Sequence, residues 1–110
     1  MLENVIFNEL LLRGCQVDVG VVPVGDKQHE IDFVVNRAPG KLYIQVAYEL
    51  PNEAKREQET LPLRKCDDFF RKMIIVGGYT PMHYTSEGII EVGAILFLLD
   101  VSILDKALAD

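Results

Sequence analysis

The chain has 110 residues, of which 49% are apolar, 25% charged and 8% aromatic, and its formal net charge at pH 7 is −6. This length and composition are typical of one globular domain with a single core, and they exclude collagen-like, low-complexity and disordered chains. The acidic balance argues against a general nucleic-acid coat protein, which would be basic, although it does not exclude a local basic face.

The first half of the chain predicts one helix followed by three strands. Apolar residues recur at helical spacing up to Gly14, which occupies the position of a C-cap glycine. Alternating valines indicate the first strand, and turns at 23–27 and 37–40 separate it from two further apolar runs. The predicted elements are a helix over 2–13 and strands over 16–22, 29–36 and 41–48.

The second half of the chain begins with a predicted helix over 53–65 that Asn52 caps. Pro62 lies inside this helix and predicts a kink or a break into two shorter helices. The later predicted elements are a strand over 72–76, a loop over 79–87, a strand over 89–92, a helix over 93–100 and a polar tail. Because a long helical connection precedes the strand at 72–76, we expect that strand to run parallel to the third strand in a mixed sheet.

The sequence also predicts a compartment. The longest apolar run, at 94–99, is too short to span a membrane, so we expect no membrane association. The first charged residue is the acidic Glu3 and no small-residue cleavage site follows the early apolar run, so no signal peptide is expected. Cys15 and Cys66 are therefore interpreted as reduced, buried residues of a cytoplasmic protein.

Several common enzyme motifs are absent from the sequence. It contains no GxGxxG, no G-x-S-x-G elbow and no CxxC, and Gly77-Gly78 lacks the lysine of a phosphate-binding loop. His29 and His83 are not at the spacing of metal ligands, so a structural zinc site is not expected. The chain therefore has no nucleotide-binding motif of its own.

Two polar residues interrupt apolar strands, Asp32 in the second strand and Gln45 in the third. A carboxylate inside such a strand is costly unless it is paired, hydrogen-bonded or bound to a metal. Strict alternation offers a simpler interpretation, in which Asp32 points outward beside Glu30. Gln45 shares its face with Lys41 and Tyr43, which equally fits the more solvated side of a strand.

The order of these elements resembles that of the PD-(D/E)XK nucleases: a helix with Glu3, a strand with Asp32, a strand with Gln45, and a crossover helix. The runs LENVIFNEL, EIDFV and YIQVAY are similar to the C-terminal domain of unknown function that follows the ATPase module in a family of prokaryotic AAA-type ATPases. The resemblance is strongest over 2–48 and does not explain the loop at 77–86.

The resemblance implies a fold and a domain organisation. The expected fold is the restriction-endonuclease-like, three-layer α/β fold, a mixed central sheet flanked by helices in the order α-β-β-β-α-β-β-α. Residues 1–110 would form one such domain, excised from the C-terminus of a larger ATPase. The ATPase module of that parent protein, DNA and a second copy of the chain are the expected partners.

The resemblance also implies a metal site. Asp32, Gln45 and Glu3 would supply oxygen ligands to one Mg²⁺, which activates water for phosphodiester hydrolysis. The family's catalytic lysine should stand two residues after Gln45, but that position is Ala47. Lys41, on the same strand face as Gln45, is therefore the first candidate for a displaced catalytic lysine.

Lys55 and Arg56, on the crossover helix, are further candidates for that lysine. Six of the eleven basic residues fall between positions 53 and 72. Five acidic residues of the same segment offset them, which favours a solvated helix face over a nucleic-acid surface.

Three functional hypotheses follow. The first is a nuclease-fold accessory domain of an ATPase that binds DNA or a protein partner, with weak or absent cleavage. The second is an active Mg²⁺-dependent DNA endonuclease with a displaced lysine. The third is a non-enzymatic interaction or dimerisation module that uses the apolar segment 89–99, a segment equally suited to packing on the chain's own core. The missing motif lysine favours the first.

Overall fold

The computed structural model describes residues 1–37, 40–66 and 69–109. The elements in chain order are α1 (Leu2–Leu12), β1 (Gln16–Val24), β2 (Lys27–Arg37), β3 (Gly40–Ala47), α2 (Glu53–Lys65), β4 (Arg71–Val76), β5 (His83–Tyr84), β6 (Ile90–Gly93), α3 (Ala94–Leu99) and α4 (Ile103–Leu108). The predicted turn at 37–40 includes Ala38 and Pro39, which lie outside the described residues.

The strands form one mixed sheet of six strands in the order β1-β2-β3-β4-β6-β5. The first three strands pair antiparallel, β3 and β4 pair parallel, and β4 and β6 also pair parallel. The short β5 pairs antiparallel with β6 at the edge. The predicted parallel pair and the predicted mixed sheet are therefore confirmed, with α2 as the crossover between β3 and β4.

Helices cover both faces of the sheet, so the fold has three layers. On one face, here called the α1 face, residues of α1, α3 and α4 pack against the sheet in one large apolar cluster. On the other, the α2 face, Leu63 of α2 belongs to a smaller cluster with Ile74 and Val76 of β4. No helix among the described residues is long and apolar enough to cross a membrane.

The second helix differs from its prediction at one point. Asn52 caps it as predicted, because the backbone N–H of Lys55 donates to Asn52 Oδ1 over 2.9 Å. The helix nevertheless continues through Pro62, so the predicted break into two helices is wrong. The proline removes the bond to the carbonyl of Gln58, and Gln58 is exposed, so water can satisfy that group.

The predicted loop and tail in the second half contain two further elements. The strand β5 lies inside the loop predicted over 79–87, and α4 lies in the segment predicted as a polar tail. The Asp100 side chain organises the start of α4, since Oδ1 accepts bonds from the backbone N–H and the hydroxyl of Ser102. A strand of two residues is too short for periodicity to reveal.

The structure also decides two questions about apolar residues. Most of the segment 89–99, for which packing on another protein and packing on the protein's own core were equally open, packs in its own core; Ile90, Val92 and Phe97 are fully buried. Neither Cys15 nor Cys66 is in a disulfide, and each is half-buried rather than buried.

Candidate functional site

The candidate site lies where β2 and β3 separate. Their pairing runs from Arg37 opposite Gly40 to Phe33 opposite Ile44, so Asp32 and Gln45 directly follow the last pair. On its other side, β2 carries one residue more than β1, because Val34 pairs with Asp18 whereas Ile31 pairs with Gly20. An extra residue of this kind bends a strand and locally reverses which face its side chains occupy.

This irregularity overturns the alternation predicted for β2. Strict alternation placed Ile31, Phe33 and Val35 on one face. In the structure Phe33 and Val35 belong to the α1-face cluster, whereas Ile31 packs in the α2-face cluster. Asp32 thus lies at the point where β2 changes faces, and it is half-buried rather than exposed.

The side chains of Asp32 and Gln45 each accept a hydrogen bond from the backbone of the neighbouring strand. The backbone N–H of Asp32 donates to Gln45 Oε1 over 2.8 Å, and the backbone N–H of Val46 donates to Asp32 Oδ2 over 2.8 Å. Gln45 Nε2 donates in turn to the main-chain carbonyl of Glu59 in α2, over 3.4 Å. The two side chains therefore satisfy backbone groups that the separating strands would otherwise leave unpaired.

These bonds explain the burial of Gln45. Only 6% of Gln45 is exposed, so the interpretation that it lies on the more solvated side of β3 is wrong. A buried amide is tolerated when its oxygen and nitrogen are both bonded, as they are here. The α2 helix lies above this face and supplies the second partner.

The environment of Asp32 favours its protonated form. Burial is the largest cause that raises the pKa of Asp32 to about 6; the negative charges of Glu3, Glu59 and Glu30 act in the same direction, and the bond from the Val46 N–H opposes them. Glu3 comes from the first turn of α1 and Glu59 from α2. The structure therefore brings Glu3 into the electrostatic environment of Asp32.

A cavity of about 380 Å³ opens beside this group. Its lining comes from the first turns of α1 and the end of β3: Met1, Leu2, Glu3, Val5, Val46 and Tyr48. Glu3 is its only carboxylate among the described lining residues, and the remaining side chains are apolar or aromatic.

The three lysine and arginine candidates have different surroundings. Lys41 precedes Gln45 by four residues, or ~13 Å along a strand, and its Nζ lies 5.7 Å from the Phe70 ring centroid. Lys55 Nζ lies 2.9 Å from Glu59 Oε1, next to the carbonyl that Gln45 contacts. Arg56 Nη1 lies 2.6 Å from Glu91 Oε1. The structure thus brings Lys55, but not Lys41, towards the Asp32–Gln45 pair.

Sequence reasoning missed Glu59, which it assigned to a solvated helix face. The Glu59 side chain is 23% exposed, and its charge acts on Asp32. A signal for this placement was present, because Glu59 lies four residues before the buried Leu63 and so on the same side of the helix.

Part of the oxygen set expected to hold Mg²⁺ is engaged by the backbone. Gln45 Oε1 and Asp32 Oδ2 each accept a backbone hydrogen bond already, which leaves Asp32 Oδ1 and the Glu3 carboxylate as the uncommitted charged ligands. Mg²⁺ requires close octahedral oxygen geometry. Among residues 1–37, 40–66 and 69–109, no group of three or more His, Cys, Asp or Glu side chains could hold a metal ion.

Comparison with known proteins gives one informative relative. A Haemophilus influenzae protein described as "Uncharacterized protein" is 40% identical to this chain over 78 residues. The match covers 71% of this chain but 18% of the relative, so the chain spans only a small part of that protein's length. The chain matches no protein-family model.

Proposed function

We propose that this chain is an accessory domain with the PD-(D/E)XK nuclease fold, carried by a prokaryotic AAA-type ATPase, that binds DNA or a protein partner with weak or absent cleavage. The observation that carries the proposal is the hydrogen bonding of Asp32 and Gln45. Their side-chain oxygens accept bonds from backbone N–H groups where β2 and β3 separate, so the two motif residues stabilise the fold.

The topology supports the fold assignment. A helix with Glu3 precedes three antiparallel strands, and a helical crossover leads to a parallel fourth strand. Asp32 and Gln45 occupy neighbouring strands at the point where the pairing ends, next to Glu3. This placement agrees with the positions that the sequence resemblance implies for the two residues.

Three features support weak or absent cleavage. The position of the motif lysine is Ala47, which is 4% exposed and packs in the α2-face cluster. Gln45 replaces a carboxylate by a neutral amide, which lowers the negative charge available to a cation. Lys41, the first candidate replacement, lies beside Phe70 at the far end of β3.

The parent ATPase is supported by the resemblance of the motif runs. The matched segment is 18% of the Haemophilus influenzae protein, as expected for one domain of a longer chain. An ATPase with such a domain would act in the cytoplasm, which is the location that we propose.

Titration calorimetry with Mg²⁺ and Mn²⁺ tests the non-catalytic role. The parent, Asp32→Asn and the matched control Asp26→Asn should all give no saturable heat, because Gln45 Oε1 and Asp32 Oδ2, two oxygens of the site, are engaged by backbone N–H groups. Asparagine keeps an oxygen that can accept from Val46, so the fold is retained. Saturable binding by the parent and by Asp26→Asn that Asp32→Asn loses would overturn the proposal.

An active Mg²⁺-dependent endonuclease is the second candidate, and one observation favours it. Lys55 is held by Glu59, whose carbonyl contacts Gln45 and whose charge acts on Asp32. If this candidate is correct, the parent cleaves DNA with Mg²⁺, and Lys55→Gln and Lys65→Gln differ: the first loses activity and the second, at the end of α2, retains it. No cleavage by the parent would eliminate this candidate.

A further inference from the structure

A second surface lies at the opposite end of β3, where β3 and β4 begin. A small cavity of about 150 Å³ opens there, and Arg37, Lys41, Phe69, Phe70 and Arg71 line it. These five residues are here called the basic–aromatic edge. Three residues of β3 separate Lys41 from Gln45, so this edge is distinct from the Asp32–Gln45 pair.

The edge concentrates positive charge on a protein whose net charge is −6. Arg37, Lys41 and Arg71 come from three successive strands, β2, β3 and β4, so the sheet fixes their separation. The Arg37 guanidinium lies 2.8 Å from Asp105 of α4, a pair in which both side chains are substantially exposed. An exposed ion pair of this kind contributes little to stability, so the Arg37 guanidinium can exchange Asp105 for another anion.

Aromatic rings alternate with these cations. The Lys41 ammonium lies 5.7 Å from the Phe70 ring, and the Phe70 ring lies 6.5 Å from that of Tyr43. Arg71 Nη1 donates to the Tyr84 hydroxyl over 2.8 Å, so a further aromatic residue, from β5, lies beside these cations. Phe69 is fully exposed, although a side chain as large and apolar as that of phenylalanine is normally packed in a core.

The geometry of the edge suits an extended ligand. The cavity is smaller than the roughly 300–1,000 Å³ typical of sites that enclose a small molecule. Cations on successive strands can contact successive phosphates, and an exposed ring offers a face for stacking a base. An acidic peptide would use the cations but would leave the Phe69 ring without a planar partner.

We propose that the basic–aromatic edge binds single-stranded nucleic acid, with phosphates at Arg37, Lys41 and Arg71 and a base stacked on Phe69. This inference rests on the proposed accessory role and decides between its two kinds of partner, nucleic acid and protein. It does not depend on Asp32, Gln45 or a metal ion.

Fluorescence anisotropy of a labelled oligothymidylate, measured in EDTA and low salt, tests the inference. Phe69→Ala should weaken binding about tenfold, because it removes the stacking ring. Lys41→Gln should weaken binding and lower the slope of log Kd against log salt by about 0.7, the share of one phosphate contact. Lys27→Gln, an exposed lysine at the start of β2, should bind as the parent does.

A further variant tests the sign of the electrostatic contribution. Asp67 and Asp68 directly precede Phe69 in the sequence, so replacing both by Asn removes two negative charges and should strengthen binding. Unchanged or weaker binding would contradict the electrostatic contribution.

Three other outcomes would overturn the inference: no binding by the folded parent, equal binding by Phe69→Ala and the parent, or displacement of the oligonucleotide by polyglutamate at equal charge concentration. EDTA removes metal-dependent binding and cleavage from this experiment. Failure here with no metal binding in calorimetry therefore refutes the nucleic-acid site alone, whereas metal binding lost in Asp32→Asn refutes the non-catalytic role alone.

Discussion

The two faces of the sheet are held by different interactions. On the α1 face, three helices contribute apolar side chains to one continuous cluster, with Ile6, Leu10 and Phe97 fully buried. On the α2 face, a single helix packs, and Leu63 is its only residue in the buried apolar cluster. The α1 face is therefore stabilised mainly by burial of apolar area, and the α2 face must depend on additional contacts.

Those additional contacts are polar. Arg56 Nη1 lies 2.6 Å from Oε1 of Glu91, a β6 residue that is 6% exposed, and this hydrogen bond raises the pKa of Arg56. Gln45 donates to the carbonyl of Glu59 in the same helix. The stability of the protein should therefore depend on different substitutions at the two faces. On the α1 face, loss of side-chain volume should destabilise it; on the α2 face, a charge left without its partner should do so.

The largest effect is expected on the α1 face. Phe97→Ala should lower the free energy of unfolding by about 3–5 kcal/mol, because it leaves a cavity in the cluster. It also removes the ring that lies 4.6 Å from the Arg13 guanidinium. Urea denaturation measures the change. Leu99→Ala in the same helix, where Leu99 is 74% exposed, is the control and should cost less than about 0.5 kcal/mol. Equal costs for the two variants would contradict the role given to the α1-face cluster.

A smaller effect is expected on the α2 face. Glu91→Leu should lower the free energy of unfolding by about 2 kcal/mol, because Arg56 loses its buried partner while remaining partly solvated. The double variant Arg56→Met with Glu91→Leu should recover much of this loss, since no charge is then left unpaired. Denaturation of both variants measures the coupling.

The pair of Arg64 and Glu87, 3.3 Å apart and more exposed, provides the comparison for that coupling. Glu87→Leu should change stability by less than about 1 kcal/mol. If the losses in Arg56→Met and Glu91→Leu simply add in the double variant, the two residues do not stabilise the α2 face as a pair.

Helices α1 and α2 could be predicted from the sequence, whereas the polar contacts that hold α2 on the sheet could not. Periodicity revealed α1, and the cap at Asn52 and the terminal charges gave both ends of α2 as the structure has them. The partners of Gln45 and Glu91 could not be predicted, because they depend on how a later helix packs. The same holds for the extra residue in β2, which exists only relative to its pairing with β1.

The candidate site divides in the same way. The resemblance pointed to Asp32, Gln45 and Glu3. In the structure the Asp32 backbone N–H donates to Gln45 Oε1, and the charge of Glu3 acts on Asp32. No local pattern could show that both side chains bond the backbone of the neighbouring strand. Whether they bind a metal stays a prediction for calorimetry.

The smallest effect concerns Asp32, which lies where β2 changes from one face to the other. Its pKa is about 6 in the folded protein against a usual value of 3.8, so the folded state holds this proton more tightly than the unfolded state does. Between these two values the folded state binds more protons, and its stability falls as the pH rises. Above about pH 6 the full cost of ionising Asp32 is present.

Asp32→Asn removes this cost and keeps an oxygen to accept from the Val46 N–H. The stability of the variant relative to the parent should therefore increase between about pH 4 and about pH 7, by on the order of 1 kcal/mol because solvent screens this half-exposed group. Urea denaturation across that range measures the difference. Asp26→Asn, an exposed carboxylate in the β1–β2 turn, should show no such trend. A constant difference between Asp32→Asn and the parent would mean that Asp32 ionises as freely in the fold as in the unfolded chain, and the cost of ionisation assigned to its burial would be absent.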